Sequence, residues 1–306
     1  MSYVFGPVPS RRLGYSLGVD IVPYKVCTLD CVYCQVGRTT VKTLTRKEWI
    51  SQELILEDLE KAVSKDEKID YITFSGSGEP TLNSSLGNMI KRVKEICGIP
   101  VAVLTNSTLL YLPEVRNDLM EADLVAPSLD AVATDVFNML NRPHHDLNVE
   151  KIGEGIKSFR KDFLGRIWLE VMIVKGINDS PEELKRIEKM IRDLGADKIQ
   201  INSVLRPAAE QGIETADRQI LEFAKNLFGE KAEIIGEFQK ERFGSAQDNI
   251  QEAIIQLIKR RPCPVKEICK SLGLHEAVVV KHIGMMLNEG RIKEVIHKDG
   301  KYYKAF

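Results

Sequence analysis

Six short runs of apolar, often β-branched residues recur along the first 230 positions of the chain. The runs cover residues 16–22, 70–75, 101–106, 123–129, 167–174 and 198–204. They show little alternation of apolar and polar positions, which is typical of strands buried on both faces of a parallel sheet. Amphipathic helical patterns separate and follow them, near residues 47–63, 83–97, 113–121, 148–163, 181–194 and 215–228. The pattern therefore predicts six successive strand–helix units.

Six such units with right-handed crossovers form either a doubly wound sheet or an arc of a TIM-like barrel. A complete eight-unit barrel needs about 250 residues, which is more than this region supplies. We therefore predict an α/β fold, a partial (βα)6 TIM-like barrel, in a core domain that spans residues 1–240.

The hydrophobic period changes near residue 246. Residues 247–261, 264–274 and 275–291 each have a helical pattern, and two short strand-like runs then flank Lys298-Asp299-Gly300. An Asp-Gly pair between such runs is a strong hairpin signal. Three helices followed by a hairpin predict a small winged helix-turn-helix domain over residues 247–306.

The overall composition is that of an ordinary soluble globular protein, with 43% apolar residues, 28% charged residues and a net charge of −1. No apolar run approaches the roughly 20 residues of a membrane span, and the N-terminus lacks the apolar core of a signal peptide. These features predict a cytoplasmic protein with no membrane partner. In that compartment thiols stay reduced, so clustered cysteines indicate metal binding or catalysis instead of disulfides.

Three of the six cysteines, Cys27, Cys31 and Cys34, lie within eight residues in VCTLDCVYCQVGR. A structural zinc site usually has four ligands in two separated pairs, whereas this is a C-x3-C-x2-C pattern with no histidine nearby. Three thiolates leave one iron of a 4Fe–4S cluster without a protein ligand, and a reactive metal site needs such an open position. A zinc site completed by a distant residue, or a redox dithiol, remain the alternatives.

Polar and glycine-rich segments follow several of the predicted strands. The second strand continues into Ser75-Gly76-Ser77-Gly78-Glu79-Pro80, where glycines also suit a tight turn. Asn106 follows the third strand, and Ser128 and Asp130 follow the fourth. The carboxyl ends of parallel strands share one edge, where barrel active sites lie, although each polar residue also suits a helix cap or a loop.

The cysteine spacing, with Tyr33 just before the third cysteine, resembles that of the radical S-adenosylmethionine superfamily. The turn at residues 75–80 resembles the "GGEP" motif of that family and departs from it at Ser77. The resemblance implies a 4Fe–4S cluster on Cys27, Cys31 and Cys34, whose open iron binds S-adenosylmethionine. It further implies cofactor contacts from Tyr33, Gly76, Gly78, Glu79, Asn106, Ser128 and Asp130.

The same resemblance implies an enzyme that takes electrons from a low-potential donor of the flavodoxin or ferredoxin type. The N-terminal segment GPVPSRRLGYSLGVD together with YKVCTLDCVYCQVGRTT resembles a subgroup often placed with the wyosine-type tRNA-modifying enzymes. The substrate stays open at this point, with RNA and protein both compatible.

An iron–sulfur redox sensor that regulates transcription through the winged helix is the rival hypothesis. Residues 247–306 carry 11 Lys and Arg against 7 Asp and Glu, which suggests an anionic partner. However, the predicted recognition helix, residues 275–291, is dominated by Val and Met instead of the Arg, Asn and Gln that read base edges. A sensor also has no need for a cofactor-binding turn such as the one at residues 75–80, so the sequence favours the enzyme.

Overall fold

The computed structural model describes residues 3–10, 12–64, 68–235, 250–274, 276–297 and 300–306. The strands are β1 (Val4–Ser10), β2 (Gly14–Val19), β3 (Val26–Cys27), β4 (Val41–Lys42), β5 (Tyr71–Phe74), β6 (Val101–Thr105), β7 (Leu124–Pro127), β8 (Arg166–Ile173), β9 (Lys198–Ser203), β10 (Ala232–Ile234), β11 (Ile292–His297) and β12 (Gly300–Ala305). The helices are α1 (Gln52–Val63), α2 (Leu86–Ile96), α3 (Pro113–Asp118), α4 (Thr134–Asn141), α5 (Val149–Asp162), α6 (Pro181–Arg192), α7 (Arg218–Phe228), α8 (Ile250–Arg260), α9 (Val265–Leu272) and α10 (Glu276–Asn288). Within the described ranges, none of these helices is long and apolar enough to cross a membrane.

The main sheet has the order β1-β2-β5-β6-β7-β8-β9-β10. Every neighbouring pair from β2 to β10 is parallel, and β1 adds to β2 as an antiparallel edge strand. Among the described residues no bridge joins β10 back to β1, so the sheet is open. The predicted α/β partial barrel is confirmed.

Several elements of the barrel region escaped the hydrophobic pattern, among them the two-residue strands β3 and β4. The edge strand β1 contains Pro7 and Pro9, and proline argues against a strand except at a sheet edge, where its missing N–H needs no partner. The strand β10 has only three residues, and α4 lies in what the pattern indicated as a connection. The sheet therefore has seven parallel strands, one more than predicted.

The C-terminal residues form three helices and then a hairpin, in the predicted order. The strands β11 and β12 pair from Ile292 with Ala305 to His297 with Gly300. A second apolar core joins the three helices to this hairpin and includes Val8 of β1. The predicted division between residues 240 and 247, and the turn residues Lys298 and Asp299, lie outside the described residues. The two-domain division and the winged-helix assignment therefore stay predictions.

Candidate active site

The three cysteines lie on the loop that follows β2, at the edge formed by the carboxyl ends of the parallel strands. The short strand β3, which ends at Cys27, pairs with β4, and the amide of Thr43 donates to the Cys27 carbonyl at 3.0 Å. The amide of Cys34 donates to the Cys31 carbonyl at 3.1 Å and closes a turn between them. All three cysteine residues keep some exposed surface at this edge.

Each of the three sulfurs has a nitrogen donor from a different segment. The Asn106 side-chain amide lies 3.5 Å from the Cys27 sulfur, and that of Asn141 lies 3.3 Å from Cys31. The Lys25 ammonium lies 3.1 Å from the Cys34 sulfur. Donors of this kind stabilise negative charge on sulfur, as a thiolate ligand or a reduced cluster requires.

The number of thiols fits a cluster better than a single zinc ion. A structural zinc site usually has four protein ligands, whereas a 4Fe–4S cluster with three thiolates keeps one iron open. Among the described residues, His144, His145 and Asp146 bring three potential ligand atoms within 4.8 Å of one another, away from the three cysteines in sequence.

Burial controls the protonation of two of these thiols. Burial raises the pKa of Cys27 to about 12, and the charge of Glu79 acts in the same direction. Burial, followed by the charge of Asp130, raises the pKa of Cys31 well above its ordinary value. Both side chains are thiols without a metal, so iron binding must displace their protons.

The glycine-rich turn after β5 packs directly against the cysteine loop. A Cβ atom on Gly78 would lie 2.0 Å from the Val26 carbonyl oxygen, and one on Gly76 would lie 1.8 Å from the Asp20 carboxylate. Gly76 also has a φ of +125°, which favours glycine. The Lys25 amide donates to the Ser77 carbonyl at 2.8 Å. Glycine is therefore required at both positions, because a side chain there would overlap with neighbouring protein atoms.

Glu79, the acidic residue of this turn, is 2% exposed and receives several protein donors. One carboxylate oxygen accepts from the Thr81 amide and hydroxyl at 3.0 and 2.6 Å and from the Thr105 hydroxyl at 2.7 Å. The other oxygen accepts from the Asn106 amide at 2.7 Å. Burial raises the pKa of Glu79, and these hydrogen bonds oppose the shift. Glu79 thus joins the turn to the end of β6, and its contact with the cofactor stays a prediction.

Asn106 and Ser128 occupy the ends of β6 and β7. Besides approaching Cys27, the Asn106 amide donates to the Thr28 hydroxyl at 2.8 Å. Ser128 contributes its backbone: its amide donates to the Thr105 carbonyl at 3.0 Å, and its carbonyl accepts from the Ser107 hydroxyl. Asn106 thus faces the cysteines, whereas these Ser128 contacts fix the β6–β7 edge.

Asp130 is buried and links the cysteine loop to β8. One oxygen accepts from the Tyr33 hydroxyl and, at 2.9 Å, from Asn141, while the other accepts from the Met172 amide at 2.9 Å. Burial raises the pKa of both Asp130 and Tyr33. A small cavity at this point is lined by Leu29, Asn106, Ser128, Leu129, Asp130, Ala131, Phe137, Asn141 and Ile152.

The residues that sequence reasoning missed are Lys25, Asn141 and Asp20. Lys25 lies two residues before Cys27, and a cation so close to the thiols was a readable signal. Asn141 ends α4, a helix that the pattern did not reveal, and its contact with Cys31 spans 110 residues. Asp20 follows β2 directly, and nothing in its local sequence distinguishes it from a loop carboxylate.

Comparison with known proteins identifies the class to which this fold and site belong. Residues 21–191 match the family described as the radical SAM superfamily, and the chain belongs to that superfamily. A 4Fe–4S cluster and S-adenosylmethionine are the cofactors of these enzymes and therefore of this chain.

Relatives of similar length are UPF0026 proteins. One, from Methanocaldococcus jannaschii, is 36% identical over 310 residues, which are 99% of this chain and 95% of the relative. A protein named GTPase Obg from Brachyspira hyodysenteriae is 36% identical over 96% of this chain, but the chain spans only 44% of its length. A probable dual-specificity RNA methyltransferase RlmN from a Thermotoga species is 28% identical over 68% of this chain and 61% of the relative.

Solved structures agree on the fold. A radical SAM methyltransferase from Sphaerobacter thermophilus has a TM-score of 0.56 at 14% identity, over 72% of this chain and 65% of that chain. Streptococcus suis SuiB bound to S-adenosylmethionine has a TM-score of 0.54 at 14% identity, over 72% of this chain and 50% of that chain. These similarities support the partial-barrel fold alone.

Proposed function

We propose that this radical SAM enzyme modifies RNA, with its cluster held by Cys27, Cys31 and Cys34. The observation that carries the cluster assignment is the separate nitrogen donor at each of the three sulfurs. When bound, the cluster would supply the electron for reductive cleavage of S-adenosylmethionine, the source of the radical that would act on the substrate.

Residues of the chain would tune the cluster and bind the cofactor. Asn106, Asn141 and Lys25 each stabilise negative charge on one sulfur. The turn at residues 75–80 and the ends of β6 and β7 contact the cysteine loop, and there Gly76, Gly78, Glu79, Ser128 and Asp130 would hold the cofactor. Tyr33, fixed by its hydroxyl on Asp130, would lie beside the adenine.

Two observations favour RNA over protein as the substrate. The similarity to RNA methyltransferases extends over 68% of this chain. In addition, Lys293 and Lys304 are paired across β11 and β12, and the Lys304 ammonium lies 3.7 Å from the position of a Cβ on Gly37, beside the cysteine loop. In the described part of the chain neither lysine forms an ion pair with an acidic side chain. Uncompensated cations at a site entrance favour an anionic backbone.

The transcription-regulator hypothesis gains no support from the relatives reported above. The hairpin residue Lys304 lies beside the cysteine loop, which suits substrate docking at the enzyme site. The C-terminal helices and hairpin, residues 247–306, would then act as a substrate-docking domain attached to the catalytic domain of residues 1–240. A low-potential flavodoxin or ferredoxin would supply the electron.

The test begins with anaerobic reconstitution with iron and sulfide and reduction by dithionite. The protein is incubated with S-adenosylmethionine and total RNA from a source strain that lacks its gene. We expect 5′-deoxyadenosine and a mass change in one nucleoside of the digested RNA. A variant with alanine at Cys27, Cys31 and Cys34 is the control. If 5′-deoxyadenosine forms at the same rate with and without RNA, and no nucleoside changes mass, RNA is the wrong substrate. Replacing dithionite with reduced flavodoxin or ferredoxin then tests the donor.

A further inference from the structure

A buried ion pair connects the C-terminal helices to the first parallel strand of the barrel. Arg260, the last residue of α8, places a guanidinium nitrogen 2.5 Å from a carboxylate oxygen of Asp20, directly after β2. The side chains are 12% and 10% exposed. The same guanidinium stacks on Phe5 of β1, 3.7 Å from the ring centre, which adds a cation–π contact.

Asp20 is also the residue that holds the glycine-rich turn. One of its oxygens accepts from the Ser77 amide at 2.8 Å, and the other accepts from the Ser77 hydroxyl at 3.2 Å. The first oxygen occupies the space where Gly76 would carry a Cβ. Asp20 is 7% exposed, and burial raises its pKa while Arg260 acts in the opposite direction. The carboxylate is thus shared between α8 and the turn.

This contact accounts for the serine at position 77, where the turn departs from the "GGEP" pattern. A glycine there would still offer its amide to Asp20, but only serine adds the hydroxyl bond. On its other side the turn is joined to the cysteine loop, because the Ser77 carbonyl accepts from the Lys25 amide at 2.8 Å. Arg260, Asp20, Ser77 and Lys25 therefore form one continuous chain of contacts from α8 to the cysteine loop.

We propose that Arg260 is a positioning residue for the cofactor turn, so that S-adenosylmethionine affinity depends on the docking of the C-terminal helices. Arg260 neutralises the buried Asp20 carboxylate, and this carboxylate in turn fixes the Ser77 amide and the path of Gly76–Glu79. Loss of the guanidinium leaves an uncompensated buried charge beside the turn, which favours local opening of the segment. The inference rests on the proposed cofactor contact of residues 75–80.

The first test uses the metal-free full-length protein. Hydrogen exchange of a peptide that contains residues 75–79 is compared between the wild type and Arg260→Gln. We expect exchange in Arg260→Gln to be at least about tenfold faster, because the Asp20 carboxylate that accepts from the Ser77 amide is no longer held by an ion pair. The matched control is Glu267→Gln, which weakens a separate group of ion pairs, those of Glu267 with Arg206 of the barrel at 2.7 Å and with Arg261 at 2.8 Å. The control should leave residues 75–79 unchanged.

The second test is a calorimetric titration of S-adenosylmethionine into cluster-loaded protein. Arg260→Gln should bind S-adenosylmethionine about tenfold more weakly than the wild type, with an unchanged iron content. Glu267→Gln should bind S-adenosylmethionine with the wild-type affinity. If Arg260→Gln fails to fold, Ser77→Ala removes only the hydroxyl bond to Asp20 and should give a smaller effect in the same direction. Unchanged exchange and affinity in the folded variants, or equal losses in Glu267→Gln, overturn the inference. A wild-type protein that binds no S-adenosylmethionine contradicts the proposed function instead.

Discussion

The side-chain amide of Asn141 lies 3.3 Å from the sulfur of Cys31, although 110 residues separate the two in the chain. The same amide donates to Asp130 at 2.9 Å, and the Tyr33 hydroxyl donates to the same carboxylate oxygen. Cys31 is therefore linked through Asn141, the last residue of α4, to Asp130, which follows β7. Hydrogen bonds to sulfur are among the factors that set the potential of an iron–sulfur cluster.

Replacing Asn141 by alanine should make the reduction potential of the cluster more negative. The lost hydrogen bond stabilises the reduced, more negative state, and a net 0.5–1.5 kcal/mol corresponds to about 20–65 mV for one electron. Redox titration followed by electron paramagnetic resonance measures the shift. Asn148→Ala is the control, because Asn148 caps α5 by accepting from the Lys151 amide. Equal potentials in both variants contradict the assigned role.

Cluster content should depend on three cysteines and not on the other three. Reconstituted wild-type protein should hold about four irons and four sulfides. Alanine at Cys27, Cys31 or Cys34 should abolish the cluster, because each removes a proposed iron ligand. Alanine at Cys97, Cys263 or Cys269 should not, since Cys263 is buried in the C-terminal core. Iron and sulfide analysis of each variant measures the cluster content. Stoichiometric zinc without iron in the reconstituted wild type would overturn the assignment of a 4Fe–4S cluster.

Glu79 should affect cofactor binding through its charge. If the carboxylate also receives the S-adenosylmethionine ammonium, Glu79→Gln should weaken binding about tenfold to a hundredfold with cluster content unchanged. Thr81→Val removes one hydroxyl donor to Glu79 and keeps the charge, so it is the control for the architecture of the turn. Calorimetric titration compares the two, and an equal loss in both would limit Glu79 to a structural role.

The hairpin lysines should contribute to RNA affinity without sequence specificity. Lys293→Gln and Lys304→Gln should each weaken RNA binding and reduce the slope of log affinity against log salt by about one. Lys301→Gln is the matched control on the same hairpin, because its ammonium pairs with Glu294 at 3.1 Å. Filter binding at several salt concentrations gives the slopes. Identical slopes for all three variants argue against docking at this face.

Alkaline conditions should destabilise the C-terminal core through Cys263. Burial raises the pKa of Cys263 to about 11, above the ordinary thiol value. Above pH 9 the unfolded chain loses this proton while the folded chain retains it, so unfolding becomes more favourable until the folded pKa is passed. We expect the stability of the wild type relative to Cys263→Ala to fall by about 2–3 kcal/mol between pH 8.5 and 11. Urea unfolding across this range measures the difference, and a constant difference would contradict it.

Much of the fold follows from patterns that act over a few residues. The six apolar runs became β2 and β5 to β9, because buried parallel strands need apolar side chains on both faces. The C-terminal order of helices and hairpin followed from a change of period and an Asp-Gly pair. The strands β1 and β10 were not predicted, because β1 contains two prolines and β10 has only three residues, so neither strand has a recognisable local pattern.

The chain sequence by itself determined the class of site, because C-x3-C-x2-C places three thiols on one short loop whatever surrounds it. Only the tertiary structure decided which groups face those thiols and what holds the cofactor turn. Asn141 reaches Cys31, and Arg260 reaches Asp20, across separations that no spacing rule covers. The physical reason is that a buried polar or charged group without a partner costs free energy, so its partner is fixed once it is buried. Which groups become buried together depends on how the helices and strands pack, and not on their local sequence.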